Sequence, residues 1–102
     1  MNINTTLELT IKCKDLIKKD HMLKPFVLIH ENNVFLSRTE KIDDNLNPEF
    51  TEKIYISFNF SKKQEICLEV WNQVDDLPKD LKASVDTSKH DLITKVHFDL
   101  AD

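Results

Sequence analysis

Nucleophilic or zinc-type chemistry in this chain would draw on Cys13, Cys67, the four histidines (His21, His30, His90, His97) and the serines. Along the sequence, neither cysteine has a Cys or His partner at metal-ligand spacing, and the histidines are scattered. Two reduced thiols packed in or beside a sheet are therefore expected, rather than a disulfide or a zinc site. Ser37, Ser57, Ser61, Ser84 and Ser88 show no nucleophile elbow, and no Cys–His or paired-carboxylate arrangement is legible, which argues against an enzyme. Glycine is absent, so a phosphate-cradling glycine loop is excluded in its usual form. Every turn with positive φ must then use Asn or Asp, the residues that tolerate it next best. Glu31–Asn33 and Asp43–Asn45 are placed to do so.

Positioning those side chains falls to a short polypeptide. Its 102 residues suit one domain over residues 1–102, with room for a single modest core. Hydrophobic residues make up 40% and charged residues 31%, as in ordinary soluble domains. Fourteen basic against eighteen acidic residues leave a net charge of −4, which disfavours nucleic acid as a partner. No apolar run approaches the roughly 18 residues of a membrane span, and the polar start "MNINTT" does not read as a signal peptide. A cytosolic location is expected.

Apolar residues alternate with period two in most segments. "TLELTIKC" puts Leu7, Leu9, Ile11 and Cys13 on one face; "EKIYISFNF" does the same with Ile54, Ile56, Phe58 and Phe60. "QEICLEVW" aligns Ile66, Leu68 and Val70, and "TKVHFDL" aligns Val96, Phe98 and Leu100. Such alternation marks half-buried strands. "FVLIH" and "VFLSRTE", joined by Asn32-Asn33, read as a hairpin. Six strands and no sustained helical period predict an antiparallel β-sandwich. Its core would hold Leu9, Ile11, Ile54, Ile56, Phe58, Leu68, Val70 and Phe98. One or two helical turns are expected within 80–89.

In "FLSRTEKIDDNLNPEF", Phe35 to Phe50, Pro48 fixes φ and lacks an N–H, while the residue before a proline is driven extended. Asn47 and Pro48 therefore set the angle at which Phe50 enters the sandwich, an architectural role. Together with "LTIKCKDLIKKD" and "FSKKQEICLEVWNQVDD", the stretch "SRTEKIDDNLNPEF" resembles the first C2 domain of the copines, over about Thr6 to Leu100. The resemblance implies an all-β, antiparallel C2-type β-sandwich. Family domains carry further strands after the one matching "TKVHFDL", so this chain is expected to lack the last strand or strands and to leave that strand at an open edge.

The family holds calcium at one end of the sandwich with aspartates from two loops, and Ca²⁺ wants about six to eight oxygens. Asp20 matches the first family position, whereas Lys24, before Pro25, stands where a second aspartate is expected. After Trp71, Asn72 offers a neutral amide oxygen, and Val74 offers nothing from its side chain. Asp75 and Asp76 lie next door as substitutes, and Asp91 matches the aspartate that opens the sixth strand. The resemblance thus implies a degraded calcium site, with binding weak or lost.

Lys18, Lys19 and Lys24 surround Met22 and Leu23, where family members insert apolar side chains into lipid. Such lysines suit anionic headgroups, at about 1 kcal/mol each near the surface. The alternative for Met22 and Leu23 is to fold back onto the sandwich end. The expected function is a non-enzymatic, copine-like C2 module, peripheral to membranes, binding anionic phospholipid with weak or absent calcium dependence. The competing expectation is a calcium-independent adaptor that docks a protein partner through the open sheet edge or the 72–93 loop.

Overall fold

The computed structural model describes residues 4–17 and 23–100. In chain order the strands are β1 (Asn4–Leu9), β2 (Pro25–Glu31), β3 (Val34–Arg38), β4 (Ile54–Asn59), β5 (Glu65–Asn72) and β6 (Asp91–Asp99). All pairings are antiparallel: β1 with β4 in one sheet, and β3-β2-β5-β6 in the other. The fold is an antiparallel β-sandwich. The expected helical turns reduce to one 3-10 turn at Thr87–Lys89, capped by Asp86, whose side chain accepts from the Ser88 N–H.

Asparagine and aspartate take the positive-φ positions that glycine usually fills. Asn32 (φ 48°) and Asn33 (φ 67°) turn β2 into β3, and Asp44 (φ 48°) bends the bridge between the sheets. Asp15 (φ 55°) does the same in the first loop, at a position not singled out in the sequence. The hairpin tip is also tied sideways: Asn32 Oδ1 accepts from the Glu65 N–H (2.8 Å), and its Nδ2 donates to the Lys63 carbonyl (3.0 Å).

Alternating residues of both sheets meet in one core. Ile11, Leu16, Leu23, Val27, Ile29, Phe50, Ile54, Ile56, Ile66 and Val70 are buried there, with Leu9 and Leu68 packed partly against them. Two expected core members differ. Phe58, near the end of β4, is only partly buried, and Phe98 remains 38% exposed. Phe98 does face inward, because it pairs with the fully buried Ile66. The facing sheet has two strands among the described residues against four in its partner, so little covers the inner side of β6.

β2 departs from alternation for the opposite reason. Val27 and Ile29 enter the core while Phe26 and Leu28, on the other face, are equally buried. A segment buried on both faces reads as a continuous apolar run. The cover on its outer face is the 73–90 connection, which lays His90 edge-on against Phe26 (5.4 Å, 82°). Leu81 accepts a hydrogen bond from the Arg38 N–H (3.0 Å), carrying the same connection along β3.

The bridge from β3 to β4 is built from its motif residues. Thr39 is fully buried; its Oγ1 accepts from the Val27 N–H (2.9 Å) and donates to the Glu40 carbonyl (2.9 Å). Glu40 accepts from the Thr51 N–H and hydroxyl (both 2.7 Å) and the Glu52 N–H (3.1 Å). Burial raises the pKa of that carboxyl, but these hydrogen bonds outweigh it and hold it below the usual value. Asn47 Oδ1 accepts from the Asp15 N–H (2.8 Å), and the carbonyl of buried Pro48 accepts from Cys13 (2.9 Å). Phe50 follows into the core, as the Asn-Pro pair predicts.

Candidate loop-end site

Pro25 pairs with Asn72, and Asn72 with Asp91. The start of β2, the end of β5 and the start of β6 therefore lie side by side, and the loops that flank them meet at one end of the sandwich. Lys24, Asn72, Asp75, Asp76 and Asp91 belong to this end. Lys18, Lys19, Asp20 and Met22 lie outside the described residues.

Lys24 is half-buried and locked by its backbone. Its N–H donates to Asn72 Oδ1 (2.8 Å), and its carbonyl accepts from the Gln73 N–H (2.9 Å). The amide oxygen expected as a calcium ligand is thus engaged in joining β5 to β2. Asp43 sits near the Lys24 ammonium. The Lys41 hydrogen bond (2.8 Å) is the main cause that lowers its carboxyl pKa, with Lys24 adding a smaller pull. Leu23 is 2% exposed and belongs to the core, so it folds back rather than standing at a loop tip. Its neighbours explain the placement: its carbonyl accepts from the Asp44 N–H (2.6 Å), which extends the β2 pairing by two residues into the loop.

Asp75, Asp76 and Asp91 are exposed. Asp75 Oδ1 accepts from the Asp76 N–H (2.8 Å), a local turn contact. Among the described residues these three carboxylates do not gather into a metal-type group; the one such group lies elsewhere. Asp75, Asp86 and Asp91 act on His90, which sequence reasoning passed over. Burial lowers the His90 pKa below the ordinary histidine value, and the three carboxylates pull it back only in part. The imidazole is therefore neutral at pH 7, and its Nδ1 accepts from the Val74 N–H (3.1 Å). His90 anchors the beginning of the 73–90 connection to its end.

Arg38, at the end of β3, has a task that its place in the strand does not reveal. It is 5% exposed, with its guanidinium donating to the Thr39 carbonyl (2.9 Å) and to the Pro78 carbonyl. Desolvation lowers its pKa, but an arginine stays charged. Its two terminal nitrogens are held by these carbonyls while Nε is buried without a partner, and the bond to Pro78 holds the long connection down onto the sheet.

Both cysteines are free and half-buried, as expected, but the sequence did not show what surrounds Cys67. On the outer face of the four-stranded sheet, the Cys67 sulfur lies 3.9 Å from His97 Nε2. His30, Cys67 and Glu69 form a group with ligand atoms all within 4.8 Å of one another. Sequence spacing hid this because the residues come from three strands. The line Cys67–His97–Glu65 also has the order of a thiol-nucleophile triad. However, burial first, and then the Glu69 and Glu65 charges, raise the thiol pKa, which disfavours the thiolate such chemistry needs.

A sandwich whose loops converge at one end around acidic and basic residues defines a class of β-module, and the comparison with known families agrees. The chain belongs to the C2 domain family, whose model matches residues 5–102. It is similar to two proteins of Dictyostelium discoideum. Copine-D is 31% identical over 102 residues (92% of this chain, 18% of that protein), and Copine-B is 32% identical over 95 residues (85% and 17%). The chain therefore spans less than a fifth of these curated relatives. Among solved structures, human GIVD cytosolic phospholipase A2 in complex with methyl γ-linolenyl fluorophosphonate superposes with a TM-score of 0.69. That match covers 96% of this chain and 13% of the other at 14% identity, a likeness of fold alone. Among the described residues, no helix is long and apolar enough to cross a membrane.

Proposed function

We propose that residues 1–102 form a single non-enzymatic C2 module of the cytosol that docks peripherally on anionic phospholipid, with weak or absent calcium dependence. The observation that carries this reading is Lys24. It stands at the loop end where the copine resemblance expects a calcium-binding aspartate, with the Asn72 oxygen turned to its N–H (2.8 Å). A fixed lysine supplies the positive charge that a bound calcium would otherwise bring to the headgroups. Lys18 and Lys19 extend that charge, and Met22 supplies the apolar contact. At about 1 kcal/mol per lysine near an anionic surface, three lysines give modest, reversible binding. Asp20, Asp75, Asp76 and Asp91 remain the residues through which any residual calcium would act.

Co-sedimentation with phosphatidylserine-containing vesicles, with calcium and with chelator, tests this. Binding should be similar in both conditions and should weaken as salt is added. Reversing Lys18 and Lys19 to Glu should release the protein. Calorimetric calcium binding in the micromolar range, or vesicle binding indifferent to both charge reversal and salt, would refute it.

A second reading, a calcium-independent adaptor, draws on a separate observation. β6 forms the edge of its sheet, with Val96 53% and Phe98 38% exposed. Vesicle binding absent at every calcium concentration would favour that reading over the first.

A further inference from the structure

His30, Cys67 and His97 are direct partners across β2, β5 and β6, one row over three adjacent strands. Partners in neighbouring strands project from the same face with Cβ atoms about 4.5–5.5 Å apart. A central thiol is then within reach of an imidazole on either side. Glu69 lies two residues along β5 from Cys67 and so shares its face. We infer that His30, Cys67, Glu69 and His97 form a zinc site that staples the edge strand β6 to β5 and β2.

The distances fit. His30 Nδ1 is 3.8 Å from Glu69 Oε1, and Cys67 Sγ is 3.9 Å from His97 Nε2. Bond lengths of about 2.0–2.3 Å place the ligand atoms of a tetrahedral zinc roughly 3.3–3.7 Å apart. Rotation of the half-exposed His97 side chain toward His30 and Glu69 would complete the site. Two imidazoles, a thiolate and a carboxylate suit a borderline-soft divalent cation and not calcium or magnesium, which take oxygen ligands. Thiolate and carboxylate together balance the charge of Zn²⁺. On binding, the Cys67 S–H bond breaks, a sulfur–zinc bond forms, and the proton goes to solvent.

The surroundings support the ligands. His97 presents Nε2 to the sulfur while its Nδ1 lies 3.7 Å from Glu65 Oε1, the carboxylate–histidine order that orients metal-bound imidazoles. Trp71 Nε1 donates to Glu69 Oε1 (3.3 Å), and Phe35 stands edge-on to the His30 ring (5.8 Å, 62°). The His30 and Glu69 side chains are 23% and 20% exposed, whereas His97 is 50% exposed and leaves a way in from solvent. Lys95, opposite Glu69, is a nearby opposing charge. The site lies on a sheet face, apart from the loop end, and does not depend on the membrane reading.

The reduced, chelator-treated chain should be titrated with Zn²⁺ by calorimetry and with Co²⁺ by absorption. One zinc per chain with micromolar or tighter affinity is expected. Cobalt should give a sulfur-to-metal charge-transfer band and the strong visible bands of a four-coordinate centre. Cys67→Ser should abolish the charge-transfer band, and Cys67→Ser and His97→Gln should each weaken zinc binding at least about ten-fold, the range seen when metal shells are disturbed. Zinc should raise the melting temperature of the parent chain and leave that of the exposed-site variant His97→Gln nearly unchanged. Weak octahedral cobalt spectra without the band, or zinc affinity equal in the parent and His97→Gln, would overturn the proposal.

Discussion

Thr39 and Arg38 show how a conspicuous polar motif ends up doing architecture. Thr39 is sealed from solvent, and its hydroxyl is the partner of the Val27 N–H. A valine would match its shape but leave that amide without an acceptor. Leaving a buried donor unsatisfied costs about 1–3 kcal/mol. Thr39→Val should therefore lower the urea midpoint by an amount in that range while leaving the m-value unchanged. A loss no larger than for an exposed threonine such as Thr10→Val would show that the Thr39 hydroxyl is dispensable. His90 is the other decisive residue. Its pKa is lowered in the folded protein, so the unfolded chain takes up a proton first as pH falls. The stability it contributes is complete above the ordinary histidine value of 6.5 and is lost as pH falls from there through the folded value. Unfolding measured between roughly pH 7 and pH 5 should show a decline that is shallower in His90→Asn. Equal slopes in the two proteins would remove His90 from the account.

At the scale of elements, the 73–90 connection and β6 invert what their sequences suggest. The connection is polar and long, yet Arg38, His90 and the Leu81 carbonyl fasten it across β2, which is why β2 is buried on both faces. β6 has a clean apolar alternation, yet Val96 is 53% exposed because, among the described residues, the two-stranded opposite sheet does not cover it. The same side-chain chemistry should therefore have different energetic weight in paired strands. Ile66→Ala, at a fully buried position of β5, should cost about 2–5 kcal/mol, the range for a large core truncation. Val96→Thr, on the neighbouring strand, should stay within about 0.5 kcal/mol. Chemical denaturation of the two variants checks the contrast, and comparable losses would mean that the inner face of β6 is covered in solution.

For the whole molecule, the sandwich separates two chemistries. One end gathers the loops, with Lys24 and Asn72 at their junction, and carries the proposed membrane contact. The outer face of the larger sheet carries the histidine–cysteine row. Strands give both places rigidity, and neither requires the other. Charge reversal at Lys18 and Lys19 should thus leave the cobalt spectrum intact, and Cys67→Ser should leave vesicle binding intact.

The class of fold was already legible in the order of residues. Period-two alternation specifies strands and their inward faces, Asn32-Asn33 specifies a tight hairpin without glycine, and Asn47-Pro48 specifies the entry of Phe50. These are local properties, set by backbone sterics and by which side of a pleat a residue occupies. Tertiary structure alone decided what stands opposite each face. It buried Leu23 in the core, exposed Phe98 on an inward-facing strand, and turned the Asn72 oxygen toward the Lys24 N–H. It also brought His30, Cys67 and His97 into one row. Alternation tells a strand which side to bury, but it carries no information about strand register or about the width of the facing sheet. Register is what aligns residues 37 and 30 positions apart, and sheet width is what decides whether an inward side chain meets a neighbour or water.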